Sequence, residues 1–280
     1  MEGIVTKLVS GDYTVRVKDK EYICKPSGVF RHKVQDIYVG DRVIIDEDNI
    51  IIEVLERKNL LLRPSVANID QVILVFSLKE PDLNLHLLDK MIAYYEYLDL
   101  KITIVFSKTD LDEDKSYLDI VNYYKNLYKV YFFSKHEEND FSGLFTDKIS
   151  VLSGQSGVGK STLLNTLGFN LKTQEISQAL GRGKHTTRHV ELYKVLDGLV
   201  MDTPGFGTIN LEEFNEIILA HSFKEFFYLS HNCRFATCLH INEPNCAVKE
   251  ALEKGKILKS RYENYLLLHE EVKEILKKKY

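Results

Sequence analysis

Residues 154–161 read Gly154-Gln155-Ser156-Gly157-Val158-Gly159-Lys160-Ser161. This spacing of glycines before Lys-Ser is that of a nucleotide phosphate-binding loop. The glycines let backbone N–H groups curl around the β-phosphate, the lysine reaches the β- and γ-phosphates, and the serine hydroxyl ligates magnesium. The loop follows an apolar run, 149–152, and precedes a predicted helix, 161–167, which is the context such a loop requires. The sequence therefore predicts an α/β nucleotide-binding domain.

Two further motifs accompany the loop, in an unusual order. Asp202-Thr203-Pro204-Gly205 follows it, and Ser107-Lys108-Thr109-Asp110, which has the pattern of a guanine-reading motif, precedes it. In the common arrangement of GTPases the phosphate loop comes first and the base-reading motif near the end. The chain is therefore predicted to be a circularly permuted GTPase.

Each motif residue has an expected role. Asp110 accepts two hydrogen bonds from guanine N1 and N2, and the aliphatic stem of Lys108 packs on the base. Asp202 holds the magnesium shell, while the Gly205 amide senses the γ-phosphate. Ser107 stands where many such motifs carry Asn, and its shorter side chain leaves the contact near guanine N7 open.

The hydrolytic machinery lacks one familiar part. Phe206 follows Gly205, where Ras-like enzymes carry a water-orienting Gln, so intrinsic hydrolysis is expected to be slow. The basic, glycine-rich stretch 181–188 offers a substitute: Thr186 or Thr187 closes on magnesium, and His185 positions water. A solvated loop histidine is the alternative interpretation of His185.

A metal centre is predicted downstream. The spacing Cys233-x4-Cys238-x-His240-x5-Cys246 supplies three thiolates and one imidazole, a full tetrahedral set for one structural zinc. An extended segment would project Cys238 and His240 to the same side, since they are two residues apart. Incidental buried cysteines are the alternative.

The remaining sequence divides into regions of different periodicity. Five short alternating runs within residues 4–55 predict a small barrel of the oligonucleotide-binding (OB) type, with any other small β module as the alternative. Continuous apolar runs follow, at 72–76, 102–106, 130–133 and 149–152, and predict buried parallel strands. Helices are expected in four further stretches: 82–98, 116–127, 211–229 and 251–279.

Composition limits the functional classes. The net charge of −4 gives no global case for nucleic-acid binding, although residues 249–280 hold nine Lys/Arg against six Glu. No apolar run approaches the roughly 20 residues of a membrane span, and the N-terminus lacks the features of a signal peptide. We expect a cytoplasmic monomer that does not contact membranes.

Four features together resemble the bacterial ribosome small subunit-dependent GTPase A (RsgA, or YjeQ) family. They are the permuted order, the run Asn59-Leu60-Leu61-Leu62-Arg63-Pro64-Ser65-Val66-Ala67-Asn68-Ile69-Asp70-Gln71, the Gly-Arg-Gly-x-His-Thr-Thr-Arg loop and the Cys/His cluster. The resemblance implies an OB RNA-binding domain at 1–62, a permuted GTPase domain at 63–230 and a zinc domain at 231–280. It also implies docking on the small ribosomal subunit and its rRNA late in maturation, with hydrolysis of GTP to GDP stimulated by the subunit.

The resemblance also carries site residues onto this chain. It implies nucleotide contacts from residues 107–110 and from Gly154 to Thr162, and zinc ligation by the Cys/His cluster. Two other functions remain open: a regulatory GTPase with a non-ribosomal partner, and an RNA-binding module whose nucleotide site is vestigial. Phosphate release from GTP, with and without purified small subunits, separates the three.

Overall fold

The computed structural model describes residues 1–28, 36–62, 65–168, 190–202 and 209–279. The chain forms two compact units, which are described separately. Unit 1 combines Met1–Gln71, Phe141–Ser153 and Lys160–Pro204, and unit 2 combines Val72–Asp140, Gly154–Gly159 and Gly205–Tyr280.

Unit 1 begins with a closed five-stranded barrel. Its strands are β1 (Glu2–Val9), β2 (Asp12–Val17), β3 (Lys20–Pro26), β4 (Arg42–Ile45) and β5 (Ile50–Val54). The barrel closes in the order β1-β2-β3-β5-β4, with β3 and β5 parallel and β4 returning to β1. The inward side chains alternate along each strand and form an apolar core that includes Val5, Val15, Val43 and Cys24. The predicted OB-type barrel is confirmed.

The rest of unit 1 is a short hairpin and part of the α/β domain. Its elements are β6 (Leu60–Leu62), β7 (Ser65–Ala67), β11 (Ile149–Ser153), β12 (Tyr193–Val195), β13 (Gly198–Asp202) and α3 (Lys160–Thr166). Strands β11 and β13 are parallel, and β12 joins β13 in antiparallel orientation. Strand β12 is only three residues long.

Unit 2 carries the other parallel strands of the α/β domain. They are β8 (Gln71–Ser77), β9 (Ile102–Ser107) and β10 (Lys129–Phe133), in the order β10-β9-β8. Strands β8 and β9 are buried along their whole length, as continuous apolar runs predict. Strand β10 pairs in parallel with β9, as predicted, but it is only partly buried, and Phe132 on it is exposed.

Helices complete unit 2. They are α1 (Leu85–Tyr97), α2 (Leu118–Lys125), α4 (Glu216–His221), α5 (Lys224–Ser230), α6 (Ala247–Glu253) and α7 (Lys259–Lys278). Two predicted helices are each divided in two. The 211–229 stretch breaks at Ser222, whose hydroxyl donates to the Ile218 carbonyl, and at the extended residue Phe223. The 251–279 stretch breaks at Gly255, whose φ of +68° ends α6.

A buried ion network joins α1, α5 and α7. Arg261 is fully buried and donates to Asp89 at 2.6 Å and to both carboxylate oxygens of Glu225 at 2.5 and 3.0 Å. Tyr124 and Asn264 also donate to Asp89, at 2.6 and 2.7 Å. Burial by itself would raise the pKa of Glu225, but attraction to Arg261 and its hydrogen bonds bring that pKa below the usual value. The network therefore holds the C-terminal helix by paired charges rather than by apolar contact alone.

Candidate nucleotide-binding site and metal centre

Ser107 ties the base-reading motif to the phosphate loop. It is the last residue of β9, is fully buried, and its hydroxyl donates to the Val158 carbonyl at 2.5 Å. Adding a Cβ at Gly159 would place that atom 4.0 Å from the Ser107 hydroxyl, so the loop packs closely over this side chain. The shorter side chain at this position therefore keeps a contact with the loop.

The rest of the motif turns away from the strand. Lys108 adopts a left-handed conformation with φ of +55°, and its ammonium donates to the Glu80 carbonyl. Asp110 lies in a 3₁₀ turn, Thr109–Leu111, and is half-buried. Within the described ranges its carboxylate has no hydrogen-bond partner, so both oxygens are available to a donor pair such as guanine N1 and N2.

The phosphate loop connects β11 to α3. A Cβ at Gly154 would lie 2.1 Å from the Val75 carbonyl oxygen, so only glycine permits this approach to β8. Gly157 and Gly159 both have positive φ, at +81° and +95°. Ser156 and Gly157 are exposed, which leaves the outer side of the loop open to a ligand. The positive φ of these glycines is compatible with a phosphate-binding loop.

Asp202 is the last residue of β13, which pairs with β11 inside unit 1. In the parallel register, Leu152 of β11 pairs with Asp202 of β13, and the phosphate loop begins two residues after Leu152. Ser161 lies in the first turn of α3. Both residues offer oxygen donors, the type that Mg²⁺ prefers. The side chain of Asp202 lies outside the described part of the structure.

Several predicted catalytic residues also fall outside the described residues. They are Gly205 and Phe206 in one segment, and His185, Thr186 and Thr187 in another. Their roles remain predictions.

The Cys/His cluster converges in unit 2. The ligand atoms of Cys233, Cys238, His240 and Cys246 all lie within 4.8 Å of one another. The His240 Nδ1 lies 3.4 Å from the Cys246 sulfur and 3.7 Å from the Cys233 sulfur, and these two sulfurs are 3.9 Å apart. A tetrahedron with Zn–S of about 2.3 Å and Zn–N of about 2.0 Å has edges of roughly 3.6 to 3.8 Å. The three separations given above are close to these edges, and the remaining ones are no longer than 4.8 Å, so the cluster could hold such a metal.

The electrostatics of the cluster also fit a cation. Burial raises the pKa of the Cys238 thiol to about 12, so a bound cation is needed to hold it as a thiolate. Burial lowers the pKa of His240 to about 4, which leaves the imidazole neutral and able to ligate. The Ala247 amide donates to the Cys233 sulfur at 3.3 Å, as expected around a metal-bound thiolate.

The backbone around His240 corrects the prediction of an extended segment. His240 has φ of +62°, and the Leu239 and Ile241 amides both donate to the Glu243 carboxylate, at 2.8 and 2.9 Å. The segment is therefore a tight turn. Helix α7 supports it, because Tyr262 donates to the His240 carbonyl and Tyr265 to the Leu239 carbonyl, both at 2.6 Å. Neither this turn nor its tyrosine supports had a local signal in the sequence.

The fold and the arrangement of the motifs define a circularly permuted GTPase, and comparisons with known proteins agree. Family models match the chain: RsgA N-terminal domain at residues 2–50, RsgA GTPase at 54–212, and 50S ribosome-binding GTPase at 150–275. The chain belongs to the RsgA GTPase family and is a GTP hydrolase.

Individual relatives cover nearly the full length. Two relatives carry the name small ribosomal subunit biogenesis GTPase RsgA. The protein from Latilactobacillus sakei subsp. sakei is 41% identical, and the similarity covers 98% of this chain and 96% of the relative. The protein from Bacillus cereus strain ATCC 10987 is 44% identical, with 98% of each chain covered. Among solved structures, YjeQ from Thermotoga maritima matches with a TM-score of 0.83 (38% identity, 97% of this chain and 98% of that one). YloQ, described as a circularly permuted GTPase, matches at 0.81 (35%, 98% and 95%).

Proposed function

We propose that this chain binds the small ribosomal subunit late in its maturation and hydrolyses GTP to GDP when the subunit completes its catalytic site. The observation that supports this most directly is the 41 to 44% identity over almost the whole length with relatives named for small-subunit biogenesis. The similarity spans the barrel and the metal cluster as well as the nucleotide motifs. These outlying parts are the ones that a ribosomal partner would use.

The proposed nucleotide contacts give each motif one role. Asp110 selects guanine, Lys108 covers the base, and Ser107 and Thr109 hold this motif in place. The backbone of Gly154–Gly159 and the Lys160 ammonium bind the β- and γ-phosphates, with Thr162 nearby in α3. Ser161 and Asp202 are the residues that would hold Mg²⁺, which supplies charge neutralisation at these phosphates.

Hydrolysis is proposed to depend on the partner. Because Phe206 cannot hydrogen-bond to water, intrinsic turnover is expected near the unassisted Ras rate, roughly 10⁻⁴ to 10⁻³ per second. His185 is the proposed water-positioning residue, Gly205 senses the γ-phosphate, and Thr186 or Thr187 closes over the nucleotide.

The flanking domains are proposed to contact rRNA. We assign residues 1–62 to an RNA-binding domain, 63–230 to the GTPase domain and 231–280 to a domain with one zinc bound by the Cys/His cluster. The protein would act as a cytoplasmic monomer. In the described residues, no helix has the length and apolar character needed to cross a bilayer.

The test measures phosphate release from GTP by the full-length protein, with and without purified small subunits. Stimulation by orders of magnitude is expected, and large subunits provide the control. Equal release in all three reactions would overturn the ribosomal assignment. No release under any condition would indicate a vestigial nucleotide site.

A further inference from the structure

Aromatic rings form a connected group on the surface of unit 2. The Phe227 ring centroid lies 5.2 Å from that of His221, 5.3 Å from that of His231 and 6.1 Å from that of Tyr228. All four side chains are exposed. We call these four residues the aromatic platform. It lies on α5 and on the residues that flank this helix.

The rings of the platform are not needed for the core. Phe226, the neighbour of Phe227 on α5, is fully buried and packs against Tyr265, with ring centroids 5.1 Å apart. Phe227 and Tyr228, in contrast, are 40% and 63% exposed. Single exposed apolar residues are common, but a contiguous exposed group indicates a binding surface.

The charge around the platform identifies the type of partner. Residues 221–238 contain one carboxylate, Glu225, and the buried Arg261 binds both of its oxygens. Lys224 and Arg234 remain as cations in a protein whose net charge is −4. Arg234 also lies over the ring of Phe235, 5.4 Å from its centroid. The segment 221–238 is therefore cationic and aromatic, which suits a polyanion.

Exposed rings beside cations are the chemistry that recognises unpaired RNA. Every base has a π-face that stacks on an aromatic side chain, and Arg or Lys contacts the adjacent phosphates. We propose that the aromatic platform stacks unpaired bases of RNA, with Lys224 and Arg234 beside the backbone. This inference rests on the proposed function, which identifies the RNA as that of the small ribosomal subunit.

The metal centre would keep this surface in position. Cys233 lies between His231 of the platform and Arg234, and its amide donates to the Ser230 carbonyl at 2.9 Å, continuing the turn from α5. Ligation of Cys233 therefore fixes the chain on both sides of it. A zinc site beside the platform gives the rings a rigid base, which lowers the entropy cost of stacking.

The test uses the absence of tryptophan from the chain. Tyr228→Trp introduces the only tryptophan of the full-length protein, at the more exposed of the two platform rings on α5, and tryptophan can be excited selectively over tyrosine. Its fluorescence is titrated with a single-stranded oligoribonucleotide of mixed sequence and with the same strand in a duplex. We expect quenching by the single strand and little by the duplex. Adding Phe227→Ala should weaken binding by about 5- to 150-fold, the range for loss of one stacked base.

The control is Leu118→Ala in the same background. Leu118 is 52% exposed but carries no ring and lies on α2, so its removal should leave the titration unchanged. Zinc content and circular dichroism establish that each variant is folded. Equal quenching by single strand and duplex, or equal effects of the two alanine variants, would overturn the proposal. A surface that docks a protein instead would give no quenching by either RNA.

Small-subunit binding separates this inference from the proposed function. If subunits stimulate the wild-type protein and bind Phe227→Ala with unchanged affinity, the platform is wrong and the function stands. If subunits do not stimulate the wild-type protein, the function is wrong, and the fluorescence titration still decides whether the platform binds unpaired RNA.

Discussion

Replacing Arg261 with Met should be among the most destabilising single changes in unit 2. Arg261 and Asp89 are both fully buried, and the Glu225 side chain is 10% exposed. The methionine fills part of the space but leaves two carboxylates without their counter-charge. Loss of one partner from a buried ion pair typically costs about 3 to 5 kcal/mol.

The magnitude can be checked from the carboxylates themselves. A buried carboxyl that has lost its cationic partner becomes protonated in the folded state. Protonation at pH 7 costs about 4 kcal/mol, because pH 7 lies about three units above the ordinary pKa of a carboxyl and each unit is about 1.4 kcal/mol. A domain is stable by about 5 to 15 kcal/mol in total. Arg261→Met should therefore remove about a quarter or more of that stability.

This cost has a definite pH dependence. In the variant, the folded-state pKa of the stranded carboxyl is raised above its unfolded value, so the folded state binds the extra proton. The stability of the variant then rises as pH falls from 7 toward 5. The difference in free energy of unfolding between wild type and variant decreases by about 1.4 kcal/mol per pH unit for each such proton.

Urea unfolding of zinc-loaded protein, followed by circular dichroism at pH 7 and pH 5.5, measures both effects. Lys254→Met is the matched control, because Lys254 pairs with Glu250 on an exposed helix surface. Losing such an exposed ion pair should not change the free energy of unfolding measurably. A deficit in Arg261→Met that is no larger than in the control, or that does not change with pH, would refute this reasoning.

Three further predictions concern the sites. Asp110→Asn should lose GTP affinity and gain xanthosine triphosphate affinity, because the hydrogen-bonding pattern inverts; unchanged GTP binding in a nucleotide titration would remove this motif from the site. Elemental analysis of chelator-free protein should find about one zinc per chain, and Cys238→Ser should lose it while nucleotide binding persists; zinc-free wild-type protein would contradict the metal assignment. Lys160→Ala should lose most γ-phosphate stabilisation, whereas His185→Ala should bind GTP normally and turn over slowly on small subunits; equal turnover of the His185 variant would make it a solvated loop residue.

The class of fold and the candidate site residues could be predicted from the sequence alone. Alternating runs predicted the barrel, because side chains of a strand alternate between its two faces. Continuous apolar runs predicted β8 and β9, because both faces of a parallel sheet are covered. The phosphate loop and the Cys/His cluster could be predicted because each lies within one short segment of the sequence. No long-range packing is needed to recognise such a motif.

The contacts between separate segments could not be predicted and are seen only in the folded chain. Ser107 and Val158 are far apart in sequence, and the bond between them shows that the atypical serine contacts the phosphate loop. Arg261 is one of the nine Lys/Arg in residues 249–280, yet it is fully buried between Asp89 and Glu225. Burial of a charge depends on partners from distant elements, and helical periodicity contains no information about those partners.

The turn at His240 shows the same limit at short range. The two-residue spacing of Cys238 and His240 favoured an extended segment. In the structure the Glu243 carboxylate accepts hydrogen bonds from two backbone amides and closes a turn in which His240 has positive φ. Local spacing identified which atoms could ligate a metal. Their convergence within 4.8 Å required the hydrogen bonds and packing of the folded chain.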